Sequence, residues 1–236
     1  MRSATTPPLR CCLLSGGASR RMGRDKALLP HPEADTWLER QLRLLAGLGA
    51  PVSLLSGWPV HRERAAGLVA SFAALGTPLE LLPEPEEPPP GDGSTSPRGE
   101  RRPAGPLVAL AHLMAVHPEA RLLLCPIDLP ALGLAHLKEL LTASRADPDA
   151  LWIAAPDHPA LPPQPLVGLY PSDAARRQRL GAAVERGERG LRRWLAAEVV
   201  RIHPLPAMAL TNVNTEAELA AWQGAITPPP DWPGSR

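Results

Sequence analysis

The sequence predicts an α/β protein in three layers, with helices covering both faces of a mostly parallel sheet. Three observations predict it. Short apolar runs of strand length alternate with stretches of helical periodicity along most of the chain. Two of those runs, Leu9–Leu14 and Arg121–Cys125, are nearly continuous in Leu and Cys, as suits strands buried on both faces. The first run ends in Ser15-Gly16-Gly17, a Gly-rich turn directly after a strand.

Taken in order, Leu9–Leu14 is the first strand. Thr36–Leu48 is a helix whose apolar positions Trp37, Leu38, Leu42, Leu45 and Leu48 recur at helical spacing before Gly49 stops it. Val52–Leu55 is a strand, His61–Leu75 one helix and Leu79–Leu82 a third strand. Gly105-Pro106 opens a helix to about Val116, because proline at a first helical position gives up an N–H that has no partner there. Arg121–Cys125 is the fourth strand and ends at Pro126-Ile127-Asp128-Leu129-Pro130. A helix over Leu134–Ser144, strands over Leu151–Ala154 and Pro165–Tyr170, and helices over Ser172–Glu185 and Leu191–Ala197 follow. Val199–His203 is a strand, and Asn212-Val213-Asn214-Thr215 leads into a last helix through Gln223.

At 236 residues the chain suits one domain with a real core, placed here at residues 1–226. Proline is the compositional outlier at 31 residues. Seven of them fall between Pro83 and Pro103, among glycines and serines, which predicts a flexible insert at about 83–104. Residues 227–236 read as a disordered tail, since consecutive prolines cannot continue a helix. A net charge of +1 gives no basic field for nucleic acid, and one Phe with one Tyr leaves few stacking platforms for single strands. No run approaches the ~18 apolar residues of a membrane span, and Met1–Arg10 lacks the apolar core of a signal peptide. Cys11, Cys12 and Cys125 have no metal-ligand spacing and read as buried structural residues. A cytoplasmic location is expected.

The chemistry concentrates in Gly16–Lys26, where three glycines, Arg20, Arg21, Arg24 and Lys26 follow a buried strand. Glycines let backbone N–H groups approach an anion closely, and the cations suit a triphosphate. The segment lacks the Gly-Lys-Ser/Thr ending of a P-loop and the Gly-x-Gly-x-x-Gly of a dinucleotide fold. Asp128, between Pro126 and Pro130 at the end of a buried strand, is placed to hold Mg²⁺, which takes one or two carboxylates beside phosphate oxygens. Capping of the next helix is the alternative role. Thr215 and Glu218 fit a helix capping box, which leaves Asn212 and Asn214 unexplained. The seven histidines are scattered, and no Ser-His-Asp or Cys-His set stands out.

Gly16-Gly17-Ala18-Ser19-Arg20-Arg21-Met22-Gly23-Arg24-Asp25-Lys26 resembles, position for position, the N-terminal signature of the molybdenum cofactor guanylyltransferases. Gly105-Pro106-Leu107, Cys125-Pro126-Ile127-Asp128-Leu129-Pro130 and Asn212-Val213-Asn214-Thr215 resemble three further segments of that family, in the same order. The resemblance implies a Rossmann-like nucleotidyltransferase fold and transfer of GMP from GTP to molybdopterin with Mg²⁺. It assigns Arg21, Lys26 and Asp128 to catalysis and Asp128 to the metal. Leu14, Ser15, Gly16, Gly17, Lys26, Glu84 and Asp128 would bind nucleotide, and Asn212 with Asn214 molybdopterin. Arg186, Arg189, Arg192 and Arg193 could meet the pterin phosphate or form a solvated helix face. Implied partners are GTP, molybdopterin and, downstream, molybdoenzymes or their chaperones.

The chain departs from the family pattern at two positions. Glu84 falls near a usual Asp, and Leu55-Ser56-Gly57 lacks the usual Asn. A phosphate nucleophile with a second pKa of roughly 6 is already ionised near neutral pH, so no general base is required. Three rivals follow from the same residues. The cytidylyltransferases of the same cofactor resemble Leu-Ala-Ala-Gly in the first loop, where this chain has Leu14-Ser15-Gly16-Gly17. A sugar-1-phosphate nucleotidyltransferase would lack the Asn-x-Asn-Thr ending, and a non-catalytic cofactor carrier would not need Arg21, Lys26 and Asp128 together.

Overall fold

The computed structural model describes residues 7–16, 22–85 and 104–226, so most of the proline-rich insert and the 227–236 tail lie outside the described residues. Within these, seven strands form one sheet: β1 (Leu9–Leu14), β2 (Val52–Ser56), β3 (Leu79–Pro83), β4 (Arg121–Pro126), β5 (Leu151–Pro156), β6 (Gln164–Pro171) and β7 (Val200–Leu205). Their order is β3-β2-β1-β4-β6-β5-β7. Only β6 runs against the others, pairing antiparallel with both β4 and β5. The three-layer, mostly parallel α/β architecture is the expected one.

The continuous apolar runs have their cause in this arrangement. Along β1, Cys11 and Leu13 face one core, which includes the helices α1 (Trp37–Ala46) and α5 (Leu134–Ala143). Cys12 faces the other, which includes α4 (Pro106–Val116), α6 (Ala174–Glu185) and α7 (Leu191–Leu195). In β4, Leu123 and Cys125 alternate with Leu122 and Leu124 in the same way. A strand covered on both sides has no solvent face, so its inner positions are apolar, and the polar exceptions Arg10 and Arg121 stand at the strand starts. The three cysteines are free and buried, and burial pushes the thiol pKa values of Cys11 and Cys125 up to about 12. They serve as packing residues.

Most helix ends follow local chemistry. Thr36 caps α1 by accepting from the Glu39 N–H, and Asp173 caps α6 by accepting from the Arg176 N–H. The final helix, α8 (Glu216–Ile226), opens on the anticipated box: Thr215 Oγ1 accepts the Glu218 N–H and Glu218 Oε2 accepts the Thr215 N–H. Trp222 of α8 meets Trp37 edge-on at 5.5 Å between ring centres, which seats this helix on the first core. The expected helix over His61–Leu75 is two helices, α2 (Pro59–Ala66) and α3 (Val69–Ala74). Gly67 ends α2; glycine is about 1 kcal/mol less favourable than Ala inside a helix, and packing here exploits that weak point. Pro59 starts α2 two residues early, where its missing N–H leaves no bond unmade.

Chain winding reverses at β1. From β1 the chain steps outward to β2 and β3, then crosses back to lay β4 on the opposite side of β1. Crevices at such a reversal, outside the carboxyl ends of the strands, are where open α/β sheets bind ligands.

The centre of the sheet is tight at Gly168, where a β-carbon would lie 2.8 Å from Trp152 O and 3.0 Å from the side chains of Ile153 and Tyr170. Gly168→Ala is expected to lower stability by about 1–3 kcal/mol. Urea unfolding of the variant and the parent measures it.

Candidate active site at the sheet reversal

Four strand ends converge on one cleft of about 340 Å³. β1 contributes Leu14 and Gly16, β2 contributes Leu55, β3 leads into Glu84, and β4 leads through Pro126 and Ile127 to Asp128. Lys26, Gly105, Pro106, Ala109, Leu166 and Asn212 complete the lining. The walls are largely apolar with a few converging polar groups, as small-molecule sites usually are.

Lys26 is the hub. It follows Asp25 into a short 3-10 turn, Lys26–Leu28, and is only 7% exposed. Its ammonium donates to Asn214 Oδ1 at 2.7 Å and to Val213 O at 3.2 Å, and lies 3.5 Å from Asp128 Oδ2. The C-terminal Asn segment is thus drawn against the end of the Gly-rich loop, and the Val213 N–H also donates to Asp128 O at 3.0 Å. A buried cation needs this many acceptors because its water has been stripped.

Asp128 does not cap the next helix, since Gly133 holds that position before α5. Its Oδ1 is buried and has no hydrogen-bond partner among the described residues. A hard, unpartnered carboxylate oxygen at a phosphate-sized cleft fits Mg²⁺, which keeps waters and substrate oxygens for its remaining positions. No cluster of three or more His, Cys, Asp or Glu side chains offers a self-sufficient metal cage among the described residues.

Glu84 sits just past β3, its N–H donating to Ser56 O at 3.2 Å. The Gly57 N–H bonds its carboxylate, yet burial dominates and raises the pKa above the ordinary 4.5. A β-carbon at Gly16 would lie 2.0 Å from Glu84 Oε2, so the bare glycine is what admits the carboxylate. Ser56 occupies the neighbourhood where the family pattern has Asn; its hydroxyl donates to Ser15 O at 2.9 Å and accepts the Trp58 N–H.

Other anticipated residues separate. Arg21 and Gly17 lie outside the described residues, as does Arg20. Arg24, expected to face phosphate, instead makes a two-pronged contact with Glu216 at 2.8 and 2.9 Å on the exposed first turn of α8. Asn212 Oδ1 accepts from Gln164 Nε2 at 2.7 Å, and Asn214 Oδ1 is engaged by Lys26, so each amide is held at one end. Arg186 pairs with Glu188, Arg189 bonds Val184 O and Glu188 O, and Arg192 donates to Pro163 O. Ser15 faces inward rather than lining the cleft, with Oγ 3.0 Å from His61 Nδ1. His61 Nε2 lies 2.7 Å from Asp25 Oδ2, so folding does assemble a Ser-His-Asp order that scattered sequence positions concealed. Burial alone would push the Asp25 carboxyl up; the His61 contact and the Ala27 N–H outweigh it and hold its pKa below the ordinary carboxylate value. Gln164, His61 and Asp25 carried no signal of periodicity or spacing.

A cleft with a few converging polar groups at the reversal of a mostly parallel α/β sheet is where such folds bind ligands. Residues 11–202 match the family described as the MobA-like NTP transferase domain. A protein of Rhodopirellula baltica named probable molybdenum cofactor guanylyltransferase is 34% identical over 228 residues, covering 93% of each chain. One of the same name from Mycobacterium bovis is 32% identical over 224 residues, covering 92% of this chain and 94% of the relative. Molybdopterin-guanine dinucleotide biosynthesis protein A from Archaeoglobus fulgidus, at 17% identity, shares the fold with a TM-score of 0.62 over 92% of this chain and 97% of its own. The chain belongs to the MobA-like NTP transferase family and is a nucleotidyltransferase.

The pH dependence at Glu84 has a definite sign. With its folded pKa raised, the native state binds the proton more tightly than the unfolded chain, so stability falls as pH rises from about 4.5 through the folded value. Glu84→Gln keeps an acceptor for the Gly57 N–H and removes the charge. The variant is expected to be the more stable protein above that window and to lose its advantage below it, as measured by urea unfolding from pH 4 to pH 8.

Proposed function

We propose that the chain transfers GMP from GTP to molybdopterin and releases pyrophosphate. The observation that carries this reading is the meeting of Lys26, Asp128 and Asn214 at one cleft, which joins the phosphate-handling loop to the Asn-x-Asn-Thr segment. The names of the relatives support the same substrates.

In this reading an oxygen of the pterin phosphate attacks the α-phosphorus of GTP. A new P–O–P bond forms, the bond to the β-phosphate oxygen breaks, and the electron pair leaves with pyrophosphate. The nucleophile is ionised beforehand, so catalysis reduces to alignment and charge neutralisation. Backbone N–H groups of Gly16 and Gly17, with Lys26 and Arg21, hold the triphosphate beside Leu14, while the Ser15 N–H is engaged by Leu55 O and supports the turn. Asp128 would hold Mg²⁺ through its unpartnered Oδ1, and the ion would neutralise charge on the phosphates. Asn212 and Asn214 present their free amide ends to the pterin.

Glu84 supplies the base preference. The guanine edge offers two adjacent donors, N1–H and N2–H, which match the two oxygens of a carboxylate, whereas cytosine sets one donor beside an acceptor. Its place over Gly16 at the cleft lining supports that role. No helix among the described residues is long and apolar enough to cross a membrane. We place the reaction in the cytoplasm.

The deciding assay incubates protein, Mg²⁺ and molybdopterin with GTP or CTP and follows pyrophosphate and dinucleotide. Product with GTP alone is expected; product with CTP alone would overturn the base assignment, and tight pterin binding without turnover would overturn transfer. Asp128→Ala should cut turnover about 1,000-fold, a loss of several kcal/mol, with an unchanged circular dichroism spectrum. Gly16→Ala displaces a flexible carboxylate rather than backbone, so it should fold normally and raise the KM for GTP about tenfold, the effect of one charged hydrogen bond. A KM for GTP equal to the parent value would remove Glu84 from base recognition.

A further inference from the structure

We propose that His61 is a positioning residue that clamps the two ends of the phosphate-handling loop and so sets nucleotide affinity. The inference rests on the reading that this loop binds a nucleoside triphosphate. His61 belongs to α2, outside the four segments that carry the family resemblance, and is 2% exposed. Its Nδ1 lies 3.0 Å from Ser15 Oγ and 2.9 Å from Ser56 Oγ, and its Nε2 lies 2.7 Å from Asp25 Oδ2. Ser15 stands immediately before residues 16–24 and Asp25 immediately after them. One imidazole therefore ties both ends of the stretch to the same helix.

The Ser56 hydroxyl donates to Ser15 O at 2.9 Å, and Nδ1 faces both Ser15 Oγ at 3.0 Å and Ser15 O at 3.2 Å. Nε2–H then donates to Asp25 Oδ2, while Asp25 Oδ1 accepts the Ala27 N–H at 3.0 Å. Each Asp25 oxygen thus has a partner. The order resembles a nucleophilic triad, but Ser15 is 1% exposed and absent from the cleft lining, so no substrate can reach its hydroxyl. What the network fixes is Asp25, which caps the turn that delivers Lys26 to Asp128 and Asn214. Ends fixed in advance leave less freedom to lose when the triphosphate binds, which is the general source of affinity from preorganisation.

Two substitutions separate the two sides of the ring. The Gln amide reaches the place of Nε2 and can still donate to Asp25, whereas the Asn amide reaches only the place of Nδ1. Isothermal titration with GTP and Mg²⁺, and separately with molybdopterin, is run on the parent protein, His61→Ala, His61→Asn and His61→Gln, with a melting curve for each. We expect His61→Ala and His61→Asn to bind GTP about tenfold more weakly, the effect of one hydrogen bond to a charged group. His61→Gln should stay within about threefold of the parent, since it keeps that bond. Molybdopterin affinity should be unchanged in all four. Equal GTP affinity in all four proteins, or parallel loss of both ligands in step with the melting temperature, would overturn the clamp. If His61→Ala does not fold, the comparison of His61→Gln with His61→Asn decides alone. A parent protein that binds molybdopterin but not GTP fails at an earlier point and overturns the nucleotide reading itself.

Discussion

One ammonium organises this molecule. Lys26 comes from the loop after the first strand, Asp128 follows the fourth, and Val213 with Asn214 precede the last helix, yet the other three all lie within 3.5 Å of the Lys26 nitrogen. A charge withdrawn from water must be matched by acceptors, and leaving a partner of a buried ion pair alone costs about 3–5 kcal/mol. The contact therefore holds the C-terminal segment to the sheet as firmly as it arranges the chemistry. The same acceptors fix the direction of Lys26 at the cleft lining.

The sheet makes that meeting possible. Because β4 returns to the far side of β1, the ends of both strands open onto one crevice, and the Ile127 N–H bonds Leu14 O directly across it. Apolar side chains cover both faces of the central strands, and Gly16, Glu84 and Asp128 all lie just past strand ends. Polar groups at the crevice are mostly held by neighbours, Glu84 by Gly57 and Asn212 by Gln164, and behind them His61 holds Ser15 and Asp25. The exception is Asp128 Oδ1, whose lone pairs are unmatched among the described residues. Fixed dipoles around one unmatched acceptor suit a site that neutralises charge without reorganising.

Sequence periodicity by itself determined the alternation of strands and helices, the burial of β1 and β4 on both faces and the Thr215–Glu218 cap, because each depends on neighbours within a few residues. The Gly-rich cationic loop and the proline-bracketed strand end drew attention to Lys26 and Asp128, and the motif resemblance to Asn212 and Asn214. Tertiary structure alone decided the break at Gly67, the reversed direction of β6 and every pairing across the cleft. A strand buried on both faces reads the same in either direction, and a glycine inside a helical pattern breaks it only when packing favours the break. The diversion of Arg24 to Glu216 and the Ser15–His61–Asp25 network span 192, 46 and 36 residues of sequence, distances at which spacing carries no information. Hydrogen bonds of that kind are chosen by what the folded core brings within 3 Å, and only the fold can say which side chains those are.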